Sequence, residues 1–271
     1  MSDLLLTTGR LSAADAIPFP SVNDIFLGVD VGGSGIKSAL VDVARGSLVT
    51  RRARVETPQP ATPEAVTDAL SEMISEYTYE GPLGVGFPAV IRSGTVGSAN
   101  NIDKSWIGRN AADLFAAATG KGVEVINDAD AAAVAEARFG AAAGVEGLVL
   151  TITFGTGIGS GLLVDGELVP NLELGQIELD GHAPAESHFS AKARRRENLD
   201  WDEWGARANR YLTHVDAVFN PDLMVIGGGL TKHWDMFHHA LDAELPAVPA
   251  EMGNNAGLVG AAMLVSRSRT R

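Results

Sequence analysis

The chain has 271 residues, 45% of them hydrophobic, which is material enough for two modest domains or one large one. It contains no cysteine, which excludes disulfides, thiolate zinc sites and cysteine nucleophiles together. Its 34 acidic against 21 basic residues give a net charge of −13. That balance argues against a general nucleic-acid binder, but it leaves room for a polyanionic substrate in a local basic groove. No apolar run approaches the ~20 residues of a membrane helix. The N-terminus carries Asp3 where a secretory signal would carry basic residues. A soluble cytoplasmic protein, with no membrane and no nucleic acid among its partners, is the expectation.

Residues 1–23, with Pro18 and Pro20, read as a flexible extension. From Ile25 the pattern becomes β-rich: a strand ending at Asp30, the turn Gly32-Gly33-Ser34-Gly35, a strand over 36–43, a turn at 44–47 and a strand over 48–56. Thr62 then caps a helix with Pro63 in its first position, and Val66, Leu70, Met73, Ile74 and Tyr77 share one face. Buried strands follow at 83–87 and 123–126, with an Ala-rich helix over 110–119 between them. After Asp128 the order begins again. A helix over 130–139 leads to a strand over 148–154, the turn Gly155-Thr156-Gly157-Ile158-Gly159, strands at 162–164 and 168–169, and a helix over 201–219. A buried strand over 223–226 then meets Gly227-Gly228-Gly229. This is a weak internal duplication of architecture. Residues 181–200 read as polar and irregular, and the last helix begins near Asn255.

Each of the two glycine turns leaves an apolar strand and carries a hydroxyl, Ser34 or Thr156. Glycine lets backbone N–H groups face an anion with no Cβ in the way. Two tight hairpins are the structural alternative; the repetition favours a phosphate chain held from both sides. Asp30 closes a buried strand beside the first turn. An acid among phosphate-binding amides needs an intervening cation, which points to Mg²⁺ through water. Lys37 either reaches the phosphates or is a solvated strand lysine. Asp128 either caps the helix it precedes or does chemistry. Glu173 and Gln176 lie in a segment too polar for a core strand, and without further information read as an exposed loop. The basic run Lys192, Arg194, Arg195 and Arg196 reads either as solvated surface or as a surface that steers a phosphate polymer.

Taken together, residues 30–37, Asn127-Asp128-Ala129-Asp130, residues 155–159, residues 173–178 and Ile226-Gly227-Gly228-Gly229-Leu230 resemble the ROK sugar kinases of the actin–hexokinase–Hsp70 superfold. Residues 99–106, Glu173 to His182, Asn209 to Leu212 and residues 255–262 are similar to the bacterial polyphosphate glucokinases and glucomannokinases within that family. The resemblance implies an α/β, two-domain actin-like ATPase (ribonuclease H-like) fold. Each domain would hold a mixed five-stranded sheet with helices, and the active site would lie in the interdomain cleft. The expected division is a small domain over 24–127, a large domain over 128–254, and a C-terminal helix over 255–268 returning to the small domain.

The activity implied is phosphoryl transfer from inorganic polyphosphate, ATP or both to the 6-hydroxyl of glucose and mannose, with Mg²⁺, in a homodimer. The alternatives are an ATP-only ROK kinase of a sugar or amino sugar, and a non-catalytic sugar sensor. The resemblance lifts Asp128 to catalytic base and assigns sugar contacts to Asn101, Asn127, Asp128, Glu173, Gln176 and, on a looser match, Glu186. Phosphate or nucleotide contacts fall to Gly32, Gly33, Ser34, Gly35, Lys37, Gly155, Thr156, Gly157, Gly228 and Gly229. Many ROK members have a histidine at the Gln176 position that meets the sugar near its 1- and 2-hydroxyls and also binds structural zinc. Here it is glutamine and the cysteine cluster is missing, so no structural zinc is expected, and strict glucose specificity is in doubt.

Overall fold

The computed structural model describes residues 24–268; the expected extension at 1–23 lies outside them. Strand β1 (Ile25–Val31) turns back on β2 (Ile36–Asp42), which pairs with both β3 (Ser47–Leu48) and β4 (Ala53–Val55). The third strand expected over 48–56 is thus broken in two, because residues 49–52 leave the ladder. Helix α1 (Pro63–Ser75) begins as expected, with the Thr62 hydroxyl accepting from Ala65 N, and it buries Val66, Leu70, Met73 and Ile74. Then come β5 (Leu83–Phe87), the short hairpin β6 (Ile91–Arg92) and β7 (Thr95–Val96), α2 (Ala111–Thr119) and β8 (Val123–Asn127). The first sheet runs β3-β2-β1-β5-β8, with β4 also on β2; β1, β5 and β8 are mutually parallel. Residues 123–126, expected to be buried, are half-buried because β8 is an edge strand.

Helix α3 (Asp128–Phe139) leads to the antiparallel strands β9 (Leu148–Phe154), β10 (Ile158–Val164) and β11 (Glu167–Val169). Residues 181–200, expected to be irregular, contain two short helices, α4 (Glu186–Phe189) and α5 (Ala191–Glu197). Helix α6 (Trp201–Phe219) starts on a capping box between Asp200 and Glu203. Strands β12 (Leu223–Gly228) and β13 (Ala247–Pro249) add parallel to β9, completing a sheet in the order β11-β10-β9-β12-β13. Three antiparallel strands followed by parallel ones thus occur twice, as the duplication implied. Strand β13 and the β6–β7 hairpin were not legible, being only two or three residues each.

Each sheet has its own aromatic core: Phe87, Trp106 and Phe115 beside the first, Phe154, Trp204, Tyr211 and Phe237 beside the second. Between the sheets lie α3 and α7 (Ala256–Ser268). Helix α7 packs on β1 and β5, α3 packs on β9 and β10, and the helices pack on each other. This contact is too close for side chains at three points. A Cβ on Gly28 would collide with the Leu258 carbonyl, one on Gly84 with the Ala261 carbonyl, and one on Gly260 with the Ala131 carbonyl. Because the obstacle is backbone, Gly84→Ala should destabilise the protein by about 3 kcal/mol. That corresponds to a Tm lower by roughly 6–12 °C. Thermal unfolding of the variant within a degree of wild type would show that the layers are not held at this distance.

Candidate active site

The two glycine turns are hairpin turns, β1–β2 and β9–β10, and they also face each other across one cleft. A cavity of about 330 Å³ is lined by Gly32, Gly33, Ser34 and Lys37 from the first turn and by Gly155, Thr156 and Gly157 from the second. Asn101, Asn127, Asp128, Glu173 and Glu186 line the same cavity. A second cavity, about 250 Å³, shares Asp128, Gly155 and Gly229 with it and adds Asp30, Gly227, Gly228 and the start of α7. Of the residues to which the resemblance gives sugar, phosphate or metal contacts, only Gly35 and Gln176 line neither.

The first turn is fixed from behind. Gly32 N donates to Gly35 O at 3.0 Å, which gives Gly35 a structural place in the turn. The carbonyls of Gly32, Gly33 and Ser34 accept from Thr57, Gln59 and Arg54 respectively. Tying these carbonyls back removes acceptors that would repel an anion from the turn, whose Gly33 and Ser34 line the cavity. In the second turn, Gly155 N donates to Gly157 O, and Gly155 O accepts from Lys192 N at the start of α5. A Cβ on Gly157 would collide with Glu186 Oε2 and press on Asn101 Nδ2, so this turn can approach both side chains only as glycine.

The structure divides the two readings of Asp128 between neighbours. Asn127 is the helix cap: its Oδ1 accepts from Ala129 N and Asp130 N, and its Nδ2 donates to Ala89 O at 3.1 Å. Most of the hydrogen-bonding capacity expected to hold sugar hydroxyls is therefore engaged in placing α3. Asp128, in the first position of the helix, has one oxygen on Ala129 N and otherwise faces the cleft. Its carboxyl is pushed up to about 7, mainly by burial and next by the Asp30 carboxylate, with smaller contributions from Glu173 and Asp130; the Ala129 N–H opposes the shift.

Asp130 is buried and also raised to about 7, again chiefly by burial. Its Oδ2 accepts from Asn171 N at 2.8 Å, and the Asn171 side chain in turn bonds both Ile91 N and Ile91 O. This chain of contacts ties the segment after β11 to the β6–β7 hairpin across the cleft.

Glu173 and Gln176 are not in an exposed loop. Glu173 precedes a 3₁₀ turn, Leu174–Gln176, that packs against β10, and Gln176 is its last residue. Burial and the neighbouring Glu186 carboxylate raise the Glu173 carboxyl, while a hydrogen bond with Asn100 opposes the rise. Asn100 lines the cavity and was missed, although it stands in the same Asn-Asn pair as Asn101. Glu186, the weakest of the sequence assignments, lines the cavity and accepts from Ile158 N at 3.0 Å, bracing the second turn. Gln176, at the end of that turn, lies outside the lining of both cavities.

Lys37 lines both cavities and is paired within the fold rather than freely solvated. Its Nζ lies 2.7 Å from Asp30 Oδ2, with both side chains largely buried. The cation that the sequence reading required beside Asp30 is thus supplied by the protein, at least for one carboxylate oxygen. Among the described residues no cluster of three or more His, Cys, Asp or Glu could hold a metal unaided. Mg²⁺ here would depend on phosphate and water oxygens for most of its ligands, which suits an ion that keeps its waters.

The sequence matches the ROK family over residues 26–187. It is 43% identical over 237 residues to a polyphosphate glucokinase of Mycobacterium tuberculosis, covering 87% of this chain and 89% of that one. Among solved structures, an inorganic polyphosphate/ATP-glucomannokinase from Arthrobacter sp. strain KM aligns with a TM-score of 0.88 at 48% identity, over 90% of this chain and 99% of the other. A ROK family glucokinase from Streptomyces griseus, in complex with glucose and AMPPNP, aligns with a TM-score of 0.77 at 26% identity, over 89% and 98%. The repeated sheets, the cleft between two glycine turns and these matches have one explanation: the chain belongs to the ROK family.

Proposed function

We propose that the protein is a hexose kinase that transfers a phosphoryl group from inorganic polyphosphate or ATP to the 6-hydroxyl of glucose, and also of mannose. The observation that carries this reading is Asp128, a carboxyl raised to about 7 in a cleft flanked by two phosphate-ready turns. The similarity to a polyphosphate glucokinase and to a polyphosphate/ATP-glucomannokinase supplies the donor and acceptor classes.

Asn100, Asn101, Glu173 and Glu186 hold the sugar hydroxyls, and Asp128 accepts a hydrogen bond from the 6-hydroxyl. The sugar oxygen attacks the terminal phosphorus, the bond to the next phosphate breaks, and the hydroxyl proton passes to Asp128. The products are the hexose 6-phosphate and either polyphosphate one unit shorter or ADP. Ser34, Thr156 and the amides of both turns hold the donor. Mg²⁺, bound chiefly through phosphate oxygens and water with Asp30 as the protein's contribution, would supply neutralising charge on the donor. Division of the chain at 127/128, with α7 returning to the first domain, lets the cleft close and exclude water, the competing acceptor. A homodimer and a cytoplasmic location belong to the same reading.

A coupled assay crossing glucose and mannose with polyphosphate and ATP tests this directly; no transfer with any of the four pairs would end the proposal. Mannose should lie within about a hundredfold of glucose in kcat/KM, the range of one mispaired polar group. From outside the cavity lining Gln176 would reach the 2-hydroxyl only on closure of the cleft, where its amide, a donor and an acceptor on a flexible stem, tolerates either 2-epimer. Gln176→His should therefore favour glucose; an unchanged ratio would confine Gln176 to the scaffold.

Asp128→Asn should lower kcat by ~10²-fold or more while sugar affinity holds. Retention of a tenth of the wild-type rate would remove Asp128 as base.

The raised Asp128 pKa also fixes two pH dependences. As a base the group works ionised, so kcat/KM should climb with pH and level off above about 7. Stability runs the opposite way. Between the unfolded value near 3.8 and about 7 the folded state binds more protons, so this group's contribution falls as pH rises. Asp128→Asn should accordingly raise Tm more at pH 8 than at pH 5. Equal shifts at both pH values would contradict the elevated pKa.

A further inference from the structure

A third cavity, about 300 Å³, opens from the donor side of the cleft. It meets the other two at Gly155 and Gly229, and its remaining wall comes from α5, the start of α6 and the segment after β12. Its charged lining is Arg194, Arg195 and Lys232, with His233 beside them, and no carboxylate lines it. In a chain of net charge −13 that is a local inversion of sign. The wall is also physically joined to the second glycine turn, because Lys192 N donates to Gly155 O.

The aromatic surface in this cavity is already covered. The Arg194 guanidinium lies 3.6 Å from the centre of the Trp201 ring, and the His233 ring centre lies 4.7 Å from it. A purine could stack on a bare indole; a guanidinium held at that distance by cation–π attraction takes the place a base would need. It also turns a flat apolar face into a fixed positive one. Arg194 Nε is buried with no hydrogen-bond partner, a donor left over inside the wall. Arg196 is different: it bonds Glu197 and the Ser187 carbonyl and does not line the cavity. The basic run seen in sequence thus splits into two arginines that face the cavity and one that does not.

We propose that this cavity holds the continuation of an inorganic polyphosphate chain beyond the phosphates seated at the two glycine turns, and that the Arg194–Trp201 stack biases donor choice toward polyphosphate and away from a nucleoside triphosphate. The inference rests on the kinase reading above. Long chains engage Arg194, Arg195 and Lys232 together, whereas chains too short to pass Gly155 and Gly229 do not. Screening by salt then weakens the long donors most.

The test is kcat/KM with glucose for ATP, a short polyphosphate and a long polyphosphate, at low and high salt. It is run on the wild type, Arg194→Ala and the exposed pair Arg195→Ala/Lys232→Ala. The expected result is a fall of at least tenfold in the ratio of long polyphosphate to ATP in Arg194→Ala. The surface pair should show a similar fall and a flatter salt dependence for the long donor. Should Arg194→Ala fail to fold, the surface pair carries the measurement alone. If the wild type uses polyphosphate but the ratio is unchanged in the variants, the cavity is not the polymer's path and only this inference falls. If the wild type uses ATP but no polyphosphate, both this inference and the polyphosphate part of the functional reading fall.

Discussion

Everything in the cleft depends on how closely α7 and α3 lie between the two sheets. Backbone lies against backbone at Gly28, Gly84 and Gly260, so these layers are packed with no room for a side chain between them. That contact fixes α3, and the first residue of α3 is Asp128. The cap that starts the helix, Asn127, is itself anchored to Ala89 beyond β5, so the position of the carboxyl is set by the first sheet and its direction by the helix. The Asp130–Asn171–Ile91 chain then ties α3 and the segment after β11 to the β6–β7 hairpin.

Charge is distributed along the cleft in a way that the chain's total conceals. Asp128, Glu173 and Glu186 line the first cavity, with Asp130 buried two residues along α3, and burial together with neighbouring carboxylates raises Asp128, Asp130 and Glu173. A carboxyl raised this way is a better proton acceptor once ionised, at the price of folding stability at high pH. On the donor side, Lys37 neutralises Asp30, and beyond Gly155 the wall becomes cationic. On the proposed reading the path from acceptor to donor runs from negative to positive, which suits transfer from a polyanion to a hydroxyl.

Much of this was legible in the sequence, for identifiable reasons. Thr62-Pro63 and Asp200 with Glu203 carry their helix starts in local hydrogen bonds. The two strand–glycine–strand units carry their topology in a period of two and a turn. What was misread involved partners distant in the chain. That Asn127 is held to the first sheet depends on Ala89, and whether Lys37 is solvated depends on Asp30 across the β1–β2 ladder. Asn100 gave the same signal as Asn101, but nothing local distinguishes which of two adjacent amides meets Glu173. The short helices α4 and α5 were missed because their polar sequences show no amphipathic stripe, and they are held in place by the second turn and α6.

The sequence by itself determined the elements and their order, the absence of thiol chemistry, the two anion-ready turns and the family resemblance, because each is written in contiguous residues. Tertiary structure alone decided which carboxylates crowd together, that Gln176 stands outside the cavity, and that Arg194 and Arg195 face it while Arg196 does not. Those outcomes depend on burial and on distances between segments that are far apart in the chain, and neither composition nor periodicity encodes them.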